Sequence, residues 1–211
     1  LTTAQKTGTG TAIARASVED NGRQHPVRWN SGSWTGYVEA VATGTAFVRG
    51  RSDGGNLRNQ RITDPNTVAN WTTWATLVTG NVGTKLAIFY TGTYVVLVWF
   101  DLVSNELKWK RSSDDGVTFG ATTVIGSLSG EPNDMAGVSG GASNSGIFYG
   151  LGADVYWRAY TPGTDTFAAA SAAGLVATSV NSVAAAWDSA NSRWLVALTA
   201  NGYVAYSGKP I

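Results

Sequence analysis

The residues best equipped for chemistry in this chain are aromatic. Nine tryptophans and eight tyrosines among 211 residues exceed what a core of small sheets needs, and aromatic rings beside Arg, Asn and Asp are a chemistry that holds sugar rings. Trp109 and Trp157 stand at matching places in two similar segments, with Lys108, Lys110, Tyr156 and Arg158 alternating to the other face. For these two tryptophans, packing in the core and stacking on a ligand both remain open. Arg61, Arg111 and Tyr160 fall at the ends of the same kind of segment, where outside contact is easier. The candidate ligand-binding set is therefore Arg61, Trp109, Arg111, Trp157, Arg158 and Tyr160.

Catalytic constellations are harder to assemble. His25 is the single histidine and precedes Pro26 in a turn-like stretch, so a serine triad would have one possible base and no nucleophile elbow to serve. No metal site is expected, because His25 has no clustered co-ligands and the chain has no cysteine. The same lack rules out disulfides and thiolate chemistry. Glu39, Glu106 and Glu131 lie in different segments without a neighbouring group to raise a pKa for acid catalysis. Gly137 to Gly141 is glycine-rich, yet no lysine and helix follow it to cradle a phosphate. Asp20-Asn21-Gly22 and Ser113-Asp114-Asp115-Gly116 are turn formers that do not continue into the spaced oxygen ligands of a calcium loop. No cofactor is implied.

Charged residues make up 14% of the chain, well below the roughly 25% of an average soluble protein. The net charge of +1 gives no field to hold a polyanion, so nucleic acid is not an expected partner. The longest apolar run, Tyr94 to Phe100, is strand-sized, and no membrane insertion is expected. The start at Leu1, without the basic and apolar regions of a signal peptide, suggests a piece of something longer.

What must position these residues is a repeat of sheets. Runs rich in Val, Ile, Tyr, Trp and Thr alternate with Gly, Asn, Asp and Ser clusters, and helical periodicity is nearly absent. Leu57–Arg61, Leu107–Arg111, Val155–Ala159 and Tyr203–Ser207 align at spacings of 50, 48 and 48 residues. Each follows two further strands joined by turn chemistry such as Ala42-Thr43-Gly44 and Thr91-Gly92-Thr93. Three lead to an aromatic, at Trp71 or Trp74, Phe119 and Phe167, and then to a fourth strand. The expectation is an all-β, single-domain small β-propeller of four-stranded antiparallel blades, because radial packing buries both faces of each sheet and leaves only short edges. Four blades are expected, with five as the alternative. The repeats cover about residues 35–84, 85–130, 131–176 and 177–211, the last completed by strands within 1–34 such as Ile13–Val18 and Pro26–Trp29.

Ser112-Ser113-Asp114-Asp115-Gly116-Val117-Thr118-Phe119 resembles the Asp-box, Ser-x-Asp-x-Gly-x-Thr before an aromatic, of sialidases and other propellers. The residues argue for the same role unaided: Asp114 can accept from nearby amides, Gly116 permits a positive φ, and Phe119 can anchor the hairpin. In such families the motif staples the fold away from the active centre, which the resemblance implies for Ser112, Asp114, Gly116, Thr118 and Phe119. Thr161–Phe167 keeps the turn and aromatic without the Asp-x-Gly order. The stretch from Gln60 to Leu77, with the Trp- and Gly-rich strands, is similar in style to repeat domains of bacteriophage tail and fibre proteins.

A sialidase would need an arginine cluster for the substrate carboxylate, a Tyr nucleophile activated by Glu, and an Asp acid. Arg49, Arg51, Arg58, Arg61, Arg111 and Arg158 fall instead on second and third strands. The sequence therefore points to a non-catalytic binding or attachment module for carbohydrate or a cell-surface receptor. It would work with other subunits of an extracellular or virion-surface assembly; a purely structural virion domain and a sialidase-like hydrolase are the alternatives.

Overall fold

The computed structural model describes residues 38–53, 55–63, 72–176, 180–200 and 203–210, with side chains omitted at 174–176, 200 and 203–210. All regular structure among them is strand. β1 (Val38–Ala42), β2 (Phe47–Asp53), β3 (Asn56–Ile62) and β4 (Ala75–Val78) form the first antiparallel sheet in sequence order. β5 (Val82–Tyr90), β6 (Val95–Asp101), β7 (Glu106–Ser112) and β8 (Thr123–Ser127) form the second. In the third, β9 (Asp134–Val138), β10 (Gly146–Leu151) and β11 (Asp154–Thr161) are followed by a fourth strand in two pieces, β12 (Thr166–Phe167) and β13 (Ser171–Val176), both on β11. The last sheet has three strands among the described residues: β14 (Ser182–Asp188), β15 (Arg193–Ala200) and β16 (Tyr203–Pro210).

The first strands of successive sheets lie side by side, β1 against β5, β5 against β9 and β9 against β14. This is the blade order expected from the repeat. Closure of a ring by Ile13–Val18 and Pro26–Trp29 lies outside the described residues, as do His25, the Asp20–Gly22 turn and Trp71.

Strand periodicity explains how the sheets stack. On β6, Val95, Leu97 and Trp99 join Leu86 and Ile88 against Val41, Val48 and Leu57 of the first sheet. Val96, Val98 and Phe100 turn the other way, with Phe89, Leu107 and Trp109, onto Met135, Ile147, Tyr149 and Tyr160 of the third. An uninterrupted apolar run is what a strand covered on both faces requires. Phe148 and Val155 then meet Val183, Trp194, Val196 and Leu198 of the fourth sheet.

Side chains seal the inner edges. Ile88 N donates to Glu39 Oε2 at 3.0 Å, Tyr90 N to Ser139 Oγ at 2.7 Å and Val183 N to Asp134 Oδ2 at 3.0 Å. Each joins one inner strand to the next and satisfies an amide that the ladder leaves open. Close approach matters here too: a Cβ at Gly137 would sit 2.0 Å from the Ile88 carbonyl oxygen, so only glycine fits between β5 and β9.

Candidate functional site

In an up-and-down sheet, alternate turns share an end. The turns that join first to second and third to fourth strands, including Ser112–Phe119, gather at one end. The turns joining second to third strands, and the entries to each inner strand, gather at the other.

At the first end the aspartates are consumed by the fold. Asp114 Oδ1 accepts from Ser112 Oγ at 2.6 Å and Thr118 N at 2.9 Å, and Oδ2 accepts from Thr118 Oγ1 at 2.6 Å. Ser112 Oγ in turn accepts from Gly116 N at 2.8 Å. Burial alone would push the Asp114 carboxyl up, but the donors of Ser112, Thr118 and Val117 outweigh it and hold it at about 2. Asp115 and Gly116 take positive φ of 54° and 83°, and a Cβ on Gly116 would meet Val48 at 2.7 Å. The turn thus presses on the first sheet. Asn59 Nδ2 donates to Gly116 O at 3.0 Å, Arg61 Nε to Asp115 O at 3.0 Å, and Thr45 Oγ1 to the Asp115 carboxylate.

The same joint recurs one repeat later. Arg111 meets Asp165 at 2.9 Å and lies over the Tyr94 ring at 4.4 Å. Asp165, at positive φ, also accepts from the Tyr160 hydroxyl at 2.5 Å. Burial first, then Asp165, raise the Tyr160 phenol above its ordinary value. Burial draws on the Arg111 guanidinium in the opposite sense, and Tyr160 and Asp165 outweigh it to keep the group charged.

Of the six residues expected to bind ligand, four serve this joint between sheets. Arg61 and Arg111 are its cations, Tyr160 is 1% exposed, and Trp109, 3% exposed, packs edge-on against Tyr160 and Phe167 with ring centroids at 5.5 and 5.8 Å. Neither ring offers a free face, which resolves Trp109 in favour of the core. Trp157 is half-buried against Phe148 and Trp194, both at 4.5 Å. Arg158 reaches Tyr149 OH and Ala168 O at 3.5 and 3.3 Å. Arg49 and Arg51 lie over Trp74 at 5.0 and 4.1 Å. Arg49 donates to Gln60 at 2.9 Å, and burial, then Arg51, lower its pKa to about 10.

Among the described residues the opposite end is open. A cleft of about 400 Å³ runs across the second, third and fourth sheets, lined by Thr84, Lys85, Glu131, Asn133, Val180 and Asn181 with Pro132 below. Glu131 Oε1 accepts from Thr84 N, from Thr84 Oγ1 at 2.9 Å and from Lys85 N at 3.2 Å, fixing the third sheet's entry loop to β5. Asn133 Nδ2 donates to Val180 O at 2.7 Å, which sets the next entry segment. Asn81, at positive φ, and Gly83, whose Cβ would lie 2.6 Å from Glu131, shape the near wall. Sequence reading noted Glu131 as an isolated carboxylate and missed Asn133 and Asn181. Their 48-residue spacing, equal to the strand repeat, was the available signal. Among the described residues no three His, Cys, Asp or Glu side chains converge to ligate a metal.

No protein-family model matches this chain, and no curated protein sequence does. Solved structures do resemble it. The K499G mutant of NanB sialidase from Streptococcus pneumoniae superimposes with a TM-score of 0.55 at 11% identity over 77% of this chain and 28% of its own. Hadza microbial sialidase Hz136 gives 0.51 at 12% over 78% and 42%. The chain therefore spans less than half of either sialidase, and what is shared is a sialidase-like β fold.

Proposed function

We propose that this chain is a non-catalytic attachment module that recognises carbohydrate on a cell surface through the polar cleft at the inner-strand entries. The observation that carries this reading is the cleft's composition: amides from Asn133 and Asn181, the Thr84 hydroxyl, Lys85 and Glu131, supplied by loops of successive sheets. Interleaved donors and acceptors on a rigid scaffold suit the vicinal hydroxyls of a sugar. Glu131 is committed to three donors from Thr84 and Lys85, which favours positioning over proton transfer. Among the described residues the aromatic rings are largely spent between sheets, so recognition at this cleft rests on hydrogen bonding and is weak per site. Multivalent display on an extracellular or virion structure, such as a viral tail or fibre, would turn weak contacts into firm attachment.

The test is a glycan array followed by titration calorimetry, with Asn133→Ala as the cleft variant. Retention of at least one glycan, lost in the variant, is expected. Turnover of a chromogenic glycoside, or glycan binding indifferent to Asn133→Ala, would overturn the reading.

A further inference from the structure

Resting on that reading of the cleft, we infer that it selects uncharged saccharides and discriminates against carboxylated ones. The charge distribution at this end of the sheets carries the inference. Asp53, Asp101, Glu106 and Asp154 flank the turns between second and third strands, while Glu131 and Asp134 stand at the third sheet's entry. Against these six carboxylates the described residues at this end present four cations, Arg51, Arg58, Lys85 and Lys108.

Carboxylates of the same turns hold the cations beside them. Arg51 and Arg58 reach Asp53 at 2.8 and 3.6 Å, and Lys108 reaches Asp101 at 2.9 Å and Glu106 at 3.4 Å. Asp101 keeps its charge well into acid: burial opposes ionisation, but donors from Ser104, Lys108 and Val103 hold it at about 2. A carboxylate on a ligand is recognised best by a guanidinium fork, which donates two parallel hydrogen bonds. No arginine is among the described residues lining the cleft. Among the described lining residues Lys85 is the one cation, and it shares the space with Glu131.

An acidic sugar entering here would exchange water for a field that, from the described residues, is of its own sign. A neutral sugar loses nothing to that field and still meets the amides and hydroxyl. The other end of the molecule shows the contrast, since Arg61 and Arg111 lie there and are held by Asp115 and Asp165. The likeness to sialidases thus extends to the fold without extending to a carboxylate-binding site in this cleft.

The experiment uses an array that pairs each neutral oligosaccharide with its sialylated counterpart, followed by calorimetry on the tightest pair at low and high salt. One like charge at contact distance in water corresponds to about fivefold weaker binding of the acidic member. That gap closes as salt is raised. Asp154→Asn, which removes one charge outside the cleft, narrows it. Acidic members binding as tightly as neutral ones or better, while Asn133→Ala still abolishes binding, would sink the inference and leave the binding reading standing. No glycan retained in either set would sink both.

Discussion

The Ser112–Phe119 turn and the cleft around Glu131 occupy opposite ends of the same sheets and spend the same residue types differently. At the turn, Asp114, Asp115 and Asp165 accept from backbone amides, hydroxyls or an arginine of the neighbouring sheet. At the cleft, Glu131 and Asn133 also fix loops, yet Thr84, Asn133 and Asn181 stay exposed beside open space. One end holds the sheets together. The other holds polar groups in place and, among the described residues, leaves them uncovered. Stability and binding should therefore separate along the strand direction, and variants at the two ends can break that separation or sharpen it.

The largest effect is expected from Gly116→Ala. Its φ of 83° is costly for any L side chain, about 1–2 kcal/mol. The added Cβ would collide with Val48 at 2.7 Å, and overpacking costs about 1–3 kcal/mol. Chemical denaturation should show a loss of about 3 kcal/mol in total. Glycan affinity measured well below the lowered Tm should stay at the wild-type value. An affinity loss in the folded variant would mean that the two ends are coupled.

Next comes Asp114→Asn, which sharpens the comparison through pH. The folded carboxyl at about 2 lies below the ordinary value of 3.8. Its contribution is thus complete above the unfolded value and is lost as pH falls through the folded one. The wild type should be the more stable at neutral pH, and the difference should shrink between about pH 4 and pH 2. Thermal melts of both proteins across that range check it. A difference that persists at pH 2 would show that the carboxylate's charge contributes nothing.

A smaller loss, about 1 kcal/mol, is expected for Arg111→Ala, since its pair with Asp165 is one-third exposed and partly screened. Denaturation of the variant should show a lowered midpoint with little change in slope. A loss of several kcal/mol would place this joint among the main supports of the fold.

Much of the stapled end was legible in the sequence, because its logic is local. Ser112, Asp114, Gly116 and Thr118 bond within seven residues of chain, and β6 declares its two covered faces in its run of apolar residues. The joint between sheets was harder to see. Arg61 and Arg111 each reach an aspartate 54 residues ahead, so both looked like ends of strands free for ligand. The shared 50-residue offset between the two arginines and between Asp115 and Asp165 is the trace they leave. Glu131 left no trace of its role, since its partners include backbone amides, which every sequence has.

The smallest effect on stability is expected at the cleft, from Asn181→Ala, and it separates the two ends most sharply. Asn181 donates its backbone N–H to Thr199 O at 2.8 Å, and that bond survives the substitution. Its side chain is exposed, and exposed positions away from caps and cores change stability by about 0.5 kcal/mol or less. The amide is nonetheless one of the few groups that can both donate to and accept from a sugar hydroxyl. Losing it should weaken glycan binding about tenfold, the worth of about 1.4 kcal/mol of hydrogen bonding, while the Tm stays where it was. Calorimetric titration and a thermal melt on the same sample decide the matter. An unchanged Kd would remove Asn181 from the site, and a lowered Tm would show that the cleft end, too, is spent on holding the sheets together.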